Sequence, residues 1–264
     1  MAAAEAAGSR SAGTEAAGYV YVYGVCRRRD AVEAWSEGIA GGEVDQVVHR
    51  DLAAIVSDVP GPRVRATRRD LMRHSNVLAS VFEDGEVLPL RFGTLYPDRN
   101  AVVDSLLAAR HGELHDLLAR LEGKVELSVK AFYDERAILA EVVNGDPRIA
   151  RLRDATRSQP PTTTQNLRLE LGEAVTHALE SRRAADAEAI VARVQPLSDA
   201  IVVDDQQVEN LVVKAALLVD RTRVAAIDAA MDALARDQAG RMQFKYVGPL
   251  PPHTFVAIES SERA

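Results

Sequence analysis

Apolar and polar residues alternate along several short stretches of the chain, and this alternation predicts strands. In Lys124–Asp134 every second residue is apolar, as in a strand that buries one face. Tyr19–Val25 is rich in the β-branched and aromatic residues that strands favour. Glu43–Val59 predicts a hairpin that turns around Asp51. Two more strands are predicted, at Ala200–Asp204 and Asn210–Asp220.

Other stretches carry apolar residues three or four positions apart, which is the spacing of an amphipathic helix. The longest is Gln165–Val194, and Pro196 ends it. Ala101–Leu121 carries a stripe of leucines and ends before Gly123. The remaining helices are predicted at Ala31–Gly38, Arg68–Phe82, Glu135–Val143 and Thr222–Ala239.

The order of these elements predicts the fold. Tyr19–Tyr96 reads strand, helix, strand, strand, helix, strand, and Lys124–Val256 repeats that order with longer helices. This is the split βαβ, or ferredoxin-like, arrangement. We therefore predict an α+β protein with two ferredoxin-like domains joined by a helix, the second domain holding the long amphipathic helix. The predicted ranges are a disordered tail over residues 1–18 and domains over residues 19–123 and 124–264.

Two apolar stretches hold residues that ordinary strands avoid, and each is predicted as the closing strand of its half. They are Glu86–Pro97 (EVLPLRFGTLYP) and Phe244–Val256 (FKYVGPLPPHTFV). Arg91 lies inside the first, and an arginine among apolar residues must pair with a carboxylate or reach solvent. Glu113, on the next helix, is the predicted partner in a structural ion pair. If that pair is buried, its loss costs roughly 3–5 kcal/mol.

Composition and charge narrow the function classes. The net charge of −7 gives no general attraction to nucleic acid or to anionic membranes. We see no apolar run long enough to cross a bilayer and no pattern of a secretion signal. The single cysteine, Cys26, cannot form an intrachain disulfide, which fits a reducing cytoplasm.

Three short motifs suggest chemistry, and each is incomplete. His49-Arg50-Asp51-Leu52 spells the start of a kinase catalytic loop, but the other kinase motifs are missing, so we interpret it as a hairpin tip. His111 and His115 have the i, i+4 spacing of two zinc ligands, yet no third ligand is evident.

The third motif is Cys26, which precedes three arginines that would lower the pKa of its thiol. No paired base is identifiable, and a packed cysteine is the simpler interpretation. His74, His177 and His253 are scattered along the chain. The sequence therefore predicts no catalytic residue, no metal and no cofactor.

Five blocks in order resemble a known family. They are YVYGV at Tyr19, VLPLRFGTLYPD at Val87, ELHDLLARLEGKVELSVKAFYD at Glu113, NLVVKAALLVD at Asn210 and GPLPPHTFV at Gly248. Together they resemble the gas vesicle accessory proteins of the F/L type, the GvpF/GvpL family, over essentially everything after Gly18. The family block close to GPWPPYSFV differs here at Leu250, His253 and Thr254.

The resemblance implies a two-domain α+β protein without enzymatic activity that acts in gas vesicle assembly, in the cytoplasm and at the vesicle. It also implies contact with the small, very hydrophobic shell protein of the GvpA type, and with other accessory proteins. Exposed strand edges or an amphipathic helix could shield such a partner. On the two proline-containing stretches we expect the partner-binding residues to be Leu88, Phe92, Tyr246, Pro249, Pro251, Pro252 and Phe255.

The alternative function is a small enzyme or a ligand-binding module. Paired ferredoxin-like domains, as in the dimeric α/β-barrel families, can enclose a pocket. That alternative predicts a cavity between sheets that holds a histidine or a cluster of titratable groups.

Overall fold

The computed structural model describes residues 18–30, 35–158, 160, 164–204 and 208–256. These residues divide into two compact units, a first unit that runs to Arg120 and a second unit that begins at Leu121. Each unit combines an antiparallel sheet with helices, so the predicted α+β class is confirmed. The domain ranges drawn from the sequence remain a prediction. The predicted N-terminal tail lies outside the described residues up to residue 17.

The sheet of the first unit has the strand order β2-β3-β1-β4, with β5 also paired to β1. All its pairings are antiparallel. The predicted hairpin is confirmed, and its tip is formed by Arg50, with φ of 57°, and Asp51. The strands are β1 (Tyr19–Arg27), β2 (Val44–His49), β3 (Leu52–Val59), β4 (Val87–Pro89) and β5 (Leu95–Tyr96).

The helices of the first unit are α1 (Arg68–Glu83), α2 (Arg99–Val102) and α3 (His111–Leu121). Thr67 caps α1 by accepting a hydrogen bond from the backbone N–H of Asp70. The predicted helix over Ala101–Leu121 is interrupted, because Val103–Ala108 forms a π-helix between α2 and α3. Of the predicted helix at Ala31–Gly38, residues 31–34 lie outside the described residues, and residues 35–38 are not helical; a short 3-10 helix follows at Ile39–Gly41.

The core of the first unit lies between α1 and the sheet. The buried side of α1 presents Val77, Leu78 and Val81, which are fully buried. The central strand β1 is buried from Val20 to Cys26. Each such side chain contributes on the order of 1.5–3 kcal/mol when fully removed from water. The aliphatic residues whose helical spacing predicted α1 are therefore the ones that pack this helix against the sheet.

The second unit repeats the same sheet order. Its strands are β6 (Lys124–Tyr133), β7 (Ala200–Val203), β8 (Leu211–Asp220) and β9 (Met242–Leu250), in the order β7-β8-β6-β9 and all antiparallel. In both units the first strand is central, flanked by the third and fourth strands of that unit. This is the ferredoxin-like order that the sequence predicted.

The helices of the second unit are α4 (Glu135–Gly145), α5 (Pro147–Ser158), α6 (Gln165–Val194) and α7 (Val224–Asp237), with short 3-10 helices at Gln195–Leu197, Arg221–Arg223 and His253–Phe255. The bounds of α6 match the prediction. We did not predict α5, which packs against α6 together with α4. In the described part of the chain, no helix combines the length and the apolar character that a membrane span requires.

A polar network fixes α6 to the rest of the second unit. The guanidinium of Arg241 donates to Glu141 Oε2 and to Asp186 Oδ2, both at 2.6 Å. The hydroxyl of Tyr133 donates to the same Asp186 oxygen at 2.5 Å. Arg241 also lies over the Tyr133 ring, 5.5 Å from its centroid. Because Asp186 belongs to α6, these contacts join the middle of the long helix to β6 and to the start of β9.

Candidate functional site

The stretch predicted as one strand over Glu86–Pro97 is broken by a turn. β4 ends at Pro89 and β5 begins at Leu95. Between them, the backbone N–H and the hydroxyl of Thr94 both donate to the carbonyl of Arg91, at 3.3 and 2.8 Å. Gly93 has φ of 91°, a conformation that glycine adopts without strain. The residues that looked unusual for a strand therefore form the turn.

The predicted ion pair between Arg91 and Glu113 is not what the structure shows. Arg91 lies on the turn and its side chain is exposed. Glu113 instead receives two hydrogen bonds from Arg110, three residues earlier, at 2.8 and 2.7 Å. Arg110 lowers the pKa of the Glu113 carboxyl through these bonds. The expected cost of losing a buried pair at Arg91 therefore does not apply, because a solvated arginine needs no carboxylate.

Leu88 and Phe92, the partner-binding residues expected on this stretch, both face inward. Leu88 is fully buried and lies opposite Val25 in the sheet. Phe92 is half-buried, with its ring 5.9 Å from that of Tyr21 and 5.7 Å from that of His74. This part of the chain is consequently built as core, and only the edge of Phe92 is available to a partner.

Phe92 belongs to a buried aromatic cluster that sequence reasoning missed. The hydroxyl of Tyr21 lies 2.9 Å from Nδ1 of His74 and accepts a bond from the N–H of Gly93 at 3.1 Å. The Tyr23 hydroxyl lies 2.8 Å from Ser57 Oγ. Burial raises the pKa of both tyrosines. The only advance signal was the pair of tyrosines two apart on one face of β1.

The C-terminal stretch provides an exposed edge. β9 pairs with β6 alone among the described strands, so its other side is open. Val247 is 55% exposed, and Pro249 is exposed two residues later. Tyr246 is half-buried and donates to Asp228 Oδ1 at 2.7 Å; burial is the main reason that its pKa is raised.

Beyond Leu250 the chain leaves the sheet, where the sequence predicted a strand up to Val256. Pro251 and Pro252 are buried and Phe255 is half-buried. The backbone N–H of Thr254 donates to Glu126 Oε2 at 2.7 Å. The Thr254 hydroxyl donates to Glu126 Oε1 at 2.8 Å. Thus the proline pair directs the closing segment back over β6.

The buried carboxyl of Glu126 is the charged group of this closing segment. Its residue is only 6% exposed, and burial raises its pKa, while the two bonds from Thr254 oppose that rise. Gly248 passes so close to β6 that an added Cβ would clash with Leu127 Cδ2 and would lie 3.0 Å from the Glu126 carbonyl oxygen. Glycine is therefore required where β9 crosses this part of β6.

The opposite edge of the same sheet is apolar, which sequence reasoning did not anticipate. β7 pairs only with β8 among the described strands. Val202 and Val203 are 43% and 45% exposed, and nearby Val208 is 50% exposed. An edge strand with open backbone groups and exposed valines is a surface on which another strand can add.

Two motifs that are far apart in the sequence meet in the first unit. His111 Nε2 lies 2.7 Å from Asp51 Oδ1, and this bond lowers the pKa of Asp51. The His111 ring lies 6.1 Å from that of His49 and 6.5 Å from that of His115. Nevertheless, no three His, Cys, Asp or Glu side chains in the described residues are arranged to hold a metal ion. The His49 motif is thus a hairpin tip bonded to α3.

Cys26 is not an activated thiol. It is fully buried in β1, and burial raises its pKa to about 11 although Arg29 acts in the opposite direction. A neighbouring arginine, Arg29, does lower this pKa, as the sequence suggested, but removal from water outweighs it and the net shift is upward.

The small-enzyme alternative requires a pocket between sheets, and each unit contains grooves that can be set against this requirement. One of about 850 Å³ lies in the first unit and is lined mainly by arginines and small apolar residues. Another of about 420 Å³ lies between α6 and the β7–β8 side of the second sheet. Neither of these two has a histidine in its lining. A third groove, of about 480 Å³, is lined by His177, but all its lining residues belong to α6, so it does not lie between sheets. None of the three grooves is the pocket between sheets that the small-enzyme alternative predicts.

This chain is similar to known sequences over most of its length. The family model described as "Gas vesicle synthesis protein GvpL/GvpF" matches residues 19–257. Gas vesicle protein F of Streptomyces sp. (strain CB03234) is 37% identical over 240 residues, which cover 89% of this chain and 98% of that protein. Gas vesicle protein F of Dolichospermum flosaquae is 24% identical over 243 residues, covering 91% and 98% of the two chains.

Solved structures show the same fold. The crystal structure of the gas vesicle protein GvpF from Anabaena sp. PCC7120 superposes with a TM-score of 0.77, at 22% identity, over 94% of this chain and 99% of that one. The GvpF structure from Microcystis aeruginosa gives a TM-score of 0.75 over 92% and 100% of the two chains, also at 22% identity.

Proposed function

We propose that this chain, which belongs to the GvpL/GvpF family of gas vesicle synthesis proteins, is a non-catalytic accessory protein of gas vesicle assembly that works in the cytoplasm and at the vesicle. The observation that carries the proposal is the match of the family model to residues 19–257, which takes in both units. The relatives are themselves named gas vesicle protein F.

We further propose that its partner is the small hydrophobic shell protein of the GvpA type. A subunit with a water-repelling face aggregates unless another protein covers that face during assembly. The second unit offers two edge strands with exposed apolar side chains for this purpose, β7 and β9. Val202 and Val203 are exposed on the first, and Val247 on the second.

The two edges suit different kinds of contact. Pro249 lies in β9, and proline cannot donate to a ladder of backbone hydrogen bonds. Lys245 adds a charge to that edge. β7 contains neither proline nor charge. We therefore assign strand addition to β7, and side-chain contact to the exposed part of the C-terminal stretch.

The residues expected at the partner surface fall into two groups, one accessible and one buried. Phe92, Tyr246, Pro249 and Phe255 keep at least part of their side chains accessible. Leu88, Pro251 and Pro252 are buried, so in this proposal they shape the surface and do not touch the partner. Other accessory proteins of the vesicle are the second class of partner that we propose.

The test is co-purification of the full chain with freshly co-expressed shell protein of the GvpA type. Wild type should capture it, and the double variant Val202→Lys/Val203→Lys should not, since two ammonium groups then occupy the edge. Leu169→Lys is the matched control, because Leu169 is 65% exposed on α6 and is not among the α6 residues that line the groove beside β7. Failure of wild type to capture the shell protein would overturn this partner. Equal capture by wild type and the double variant would overturn the assignment to β7.

A further inference from the structure

The 850 Å³ groove of the first unit concentrates positive charge on an acidic protein. It lies between the segment after β3 and the start of α1. Its lining contains two acidic residues, Glu37 and Asp70, and five arginines: Arg63, Arg65, Arg68, Arg69 and Arg73. Five positive charges against two negative charges leave a local excess of three, whereas the whole chain carries −7. The basic groove is therefore a local departure from the charge of the molecule.

Most of this charge has no ion-pair partner among the residues that the structure describes. Arg73 pairs with Glu37 at 2.8 Å. Asp70 accepts a bond from the Thr67 hydroxyl at 2.6 Å. The other four arginines are exposed, and in the described part of the chain no ion pair forms with any of them. As far as the described ranges extend, four exposed guanidinium groups around one groove are thus available to anionic groups from outside.

The position of two of these arginines is locally unfavourable. Arg68 and Arg69 are the first two residues of α1. The N-terminus of a helix carries partial positive charge, so cations there cost roughly 0.3–1 kcal/mol each, and anions are favoured. A residue choice that opposes its own helix is typical of a functional position. A bound anion would offset this repulsion.

The groove has apolar residues in its lining, and two exposed apolar residues, Leu71 and Met72, lie beside it in the sequence of α1 without being part of that lining. Ile39 and Val59 form part of its lining and are almost fully buried. Met72 lies one turn after Arg68 on the same side of α1 and is 54% exposed. The adjoining Leu71 is 44% exposed. A ligand that matches this surface carries both negative charges and apolar side chains.

We propose that the basic groove binds an acidic, partly apolar segment of a partner protein. Carboxylates of that segment would pair with the guanidinium groups, in the planar two-bond geometry that arginine favours. Nucleic acid fits less well, because the lining holds no aromatic side chain on which a base can stack. The proposal does not depend on binding of the shell protein, since the groove and β7 belong to different units.

The probe is a short fluorescein-labelled peptide with glutamates and leucines at helical spacing, measured by fluorescence anisotropy with the full chain. Arg69→Glu is the test variant. It reverses one groove charge and places an acidic side chain where the helix favours it, so the fold is not at risk. The matched control is Arg136→Glu, because Arg136 is exposed and is also the second residue of a capped helix, α4, outside the groove.

We expect saturable binding to wild type, with the dissociation constant raised at least about fivefold in the variant as attraction becomes repulsion. The control should bind like wild type. Raising NaCl from about 50 to about 300 mM should weaken binding, because exposed charges are screened. A peptide with glutamine for every glutamate should not bind. No binding of the acidic peptide, or an equal loss in both variants, overturns the proposal. Tighter binding of a single-stranded oligonucleotide or of inorganic phosphate at the groove also overturns it.

Discussion

The two carboxylate oxygens of Glu126 each accept a hydrogen bond from Thr254, one from its backbone N–H at 2.7 Å and one from its hydroxyl at 2.8 Å. Glu126 belongs to the central strand of the second unit, and Thr254 follows the last strand. A single buried carboxyl therefore holds the closing segment of the chain against β6. The stability of that segment must depend on how this carboxyl is protonated.

Replacing Glu126 with glutamine should change the pH dependence of unfolding. Burial raises the folded-state pKa of Glu126, so the folded protein binds this proton more tightly than the unfolded chain does. The stability from that proton is fully present below the unfolded pKa and is lost as pH rises through the folded pKa. We expect Glu126→Gln to gain stability relative to wild type as pH rises from about 4 to about 7. Urea unfolding of both proteins across this range measures the difference. A difference that is independent of pH would contradict the raised pKa.

Substitution of two glycines by alanine should have opposite effects. Gly248→Ala places a Cβ in a clash with Leu127 Cδ2, and Leu127 is a core residue that is only 1% exposed. We expect destabilisation of about 1–3 kcal/mol, the usual cost of overpacking. Gly172 lies inside α6 with nothing within 4 Å of an added Cβ. Gly172→Ala should stabilise by about 0.5–1 kcal/mol. Chemical denaturation measures both, and equal effects at the two sites would show that the close approach at β6 is not present.

Removal of the Arg241 guanidinium should loosen α6. Arg241→Met leaves Asp186 and Glu141 without their shared cation, and both carboxylates are mostly removed from water, at 21% and 30% side-chain exposure. After allowance for screening by solvent, we expect a loss of about 1–2 kcal/mol. Hydrogen exchange should increase in the middle of α6. The control is Arg193→Met, whose pair with Asp237 is long, at 3.7 Å, and half exposed. It should change stability by less than about 0.5 kcal/mol. Similar losses in both variants would mean that the network adds nothing beyond a surface pair.

Loss of the Tyr21 hydroxyl should destabilise the first unit. Tyr21→Phe removes the bonds with His74 and Gly93 in a site that is completely buried. The expected cost is about 1–3 kcal/mol, because buried polar groups lose a partner. Tyr246→Phe removes a hydroxyl that reaches an exposed carboxylate on the surface of α7, and it should cost less than about 1 kcal/mol. Thermal unfolding of the two variants provides the comparison. A neutral Tyr21→Phe would indicate that the hydroxyl contributes no net stabilisation.

The local pattern of residues was sufficient to predict those helices and strands whose own sequence has a clear spacing or a clear end. Gln165–Val194 has helical spacing and is followed by Pro196, and its bounds agree with α6. The strict alternation in Lys124–Asp134 likewise predicts β6 to within one residue. α5 was not predicted, because Pro147–Ser158 is rich in arginine and buries only Ile149. α5 is stabilised by packing against α6, a contact that its own sequence does not reveal.

The prediction failed where it had to identify which side chain a given residue contacts. Glu113 was assigned to Arg91, which lies far away in the sequence, although Arg110 lies one helical turn before it and captures it. Contacts such as His111 with Asp51 depend on the assembled sheet and have no local signal. Net charge concealed the basic groove, because a single sum over the chain says nothing about where the arginines gather.

The order of strands has a consequence for biosynthesis. β1 and β6 are central in their sheets, and every strand that pairs with either of them lies later in the chain. A ribosome therefore releases each central strand before any strand that will cover its sides has been made. β6 waits longest, because β9 emerges only after α6, β8 and α7. During that interval the nascent chain presents unpaired backbone groups and apolar side chains, and aggregation then competes with folding. The yield of this protein should therefore depend on the pace of translation and on chaperones that cover nascent chains.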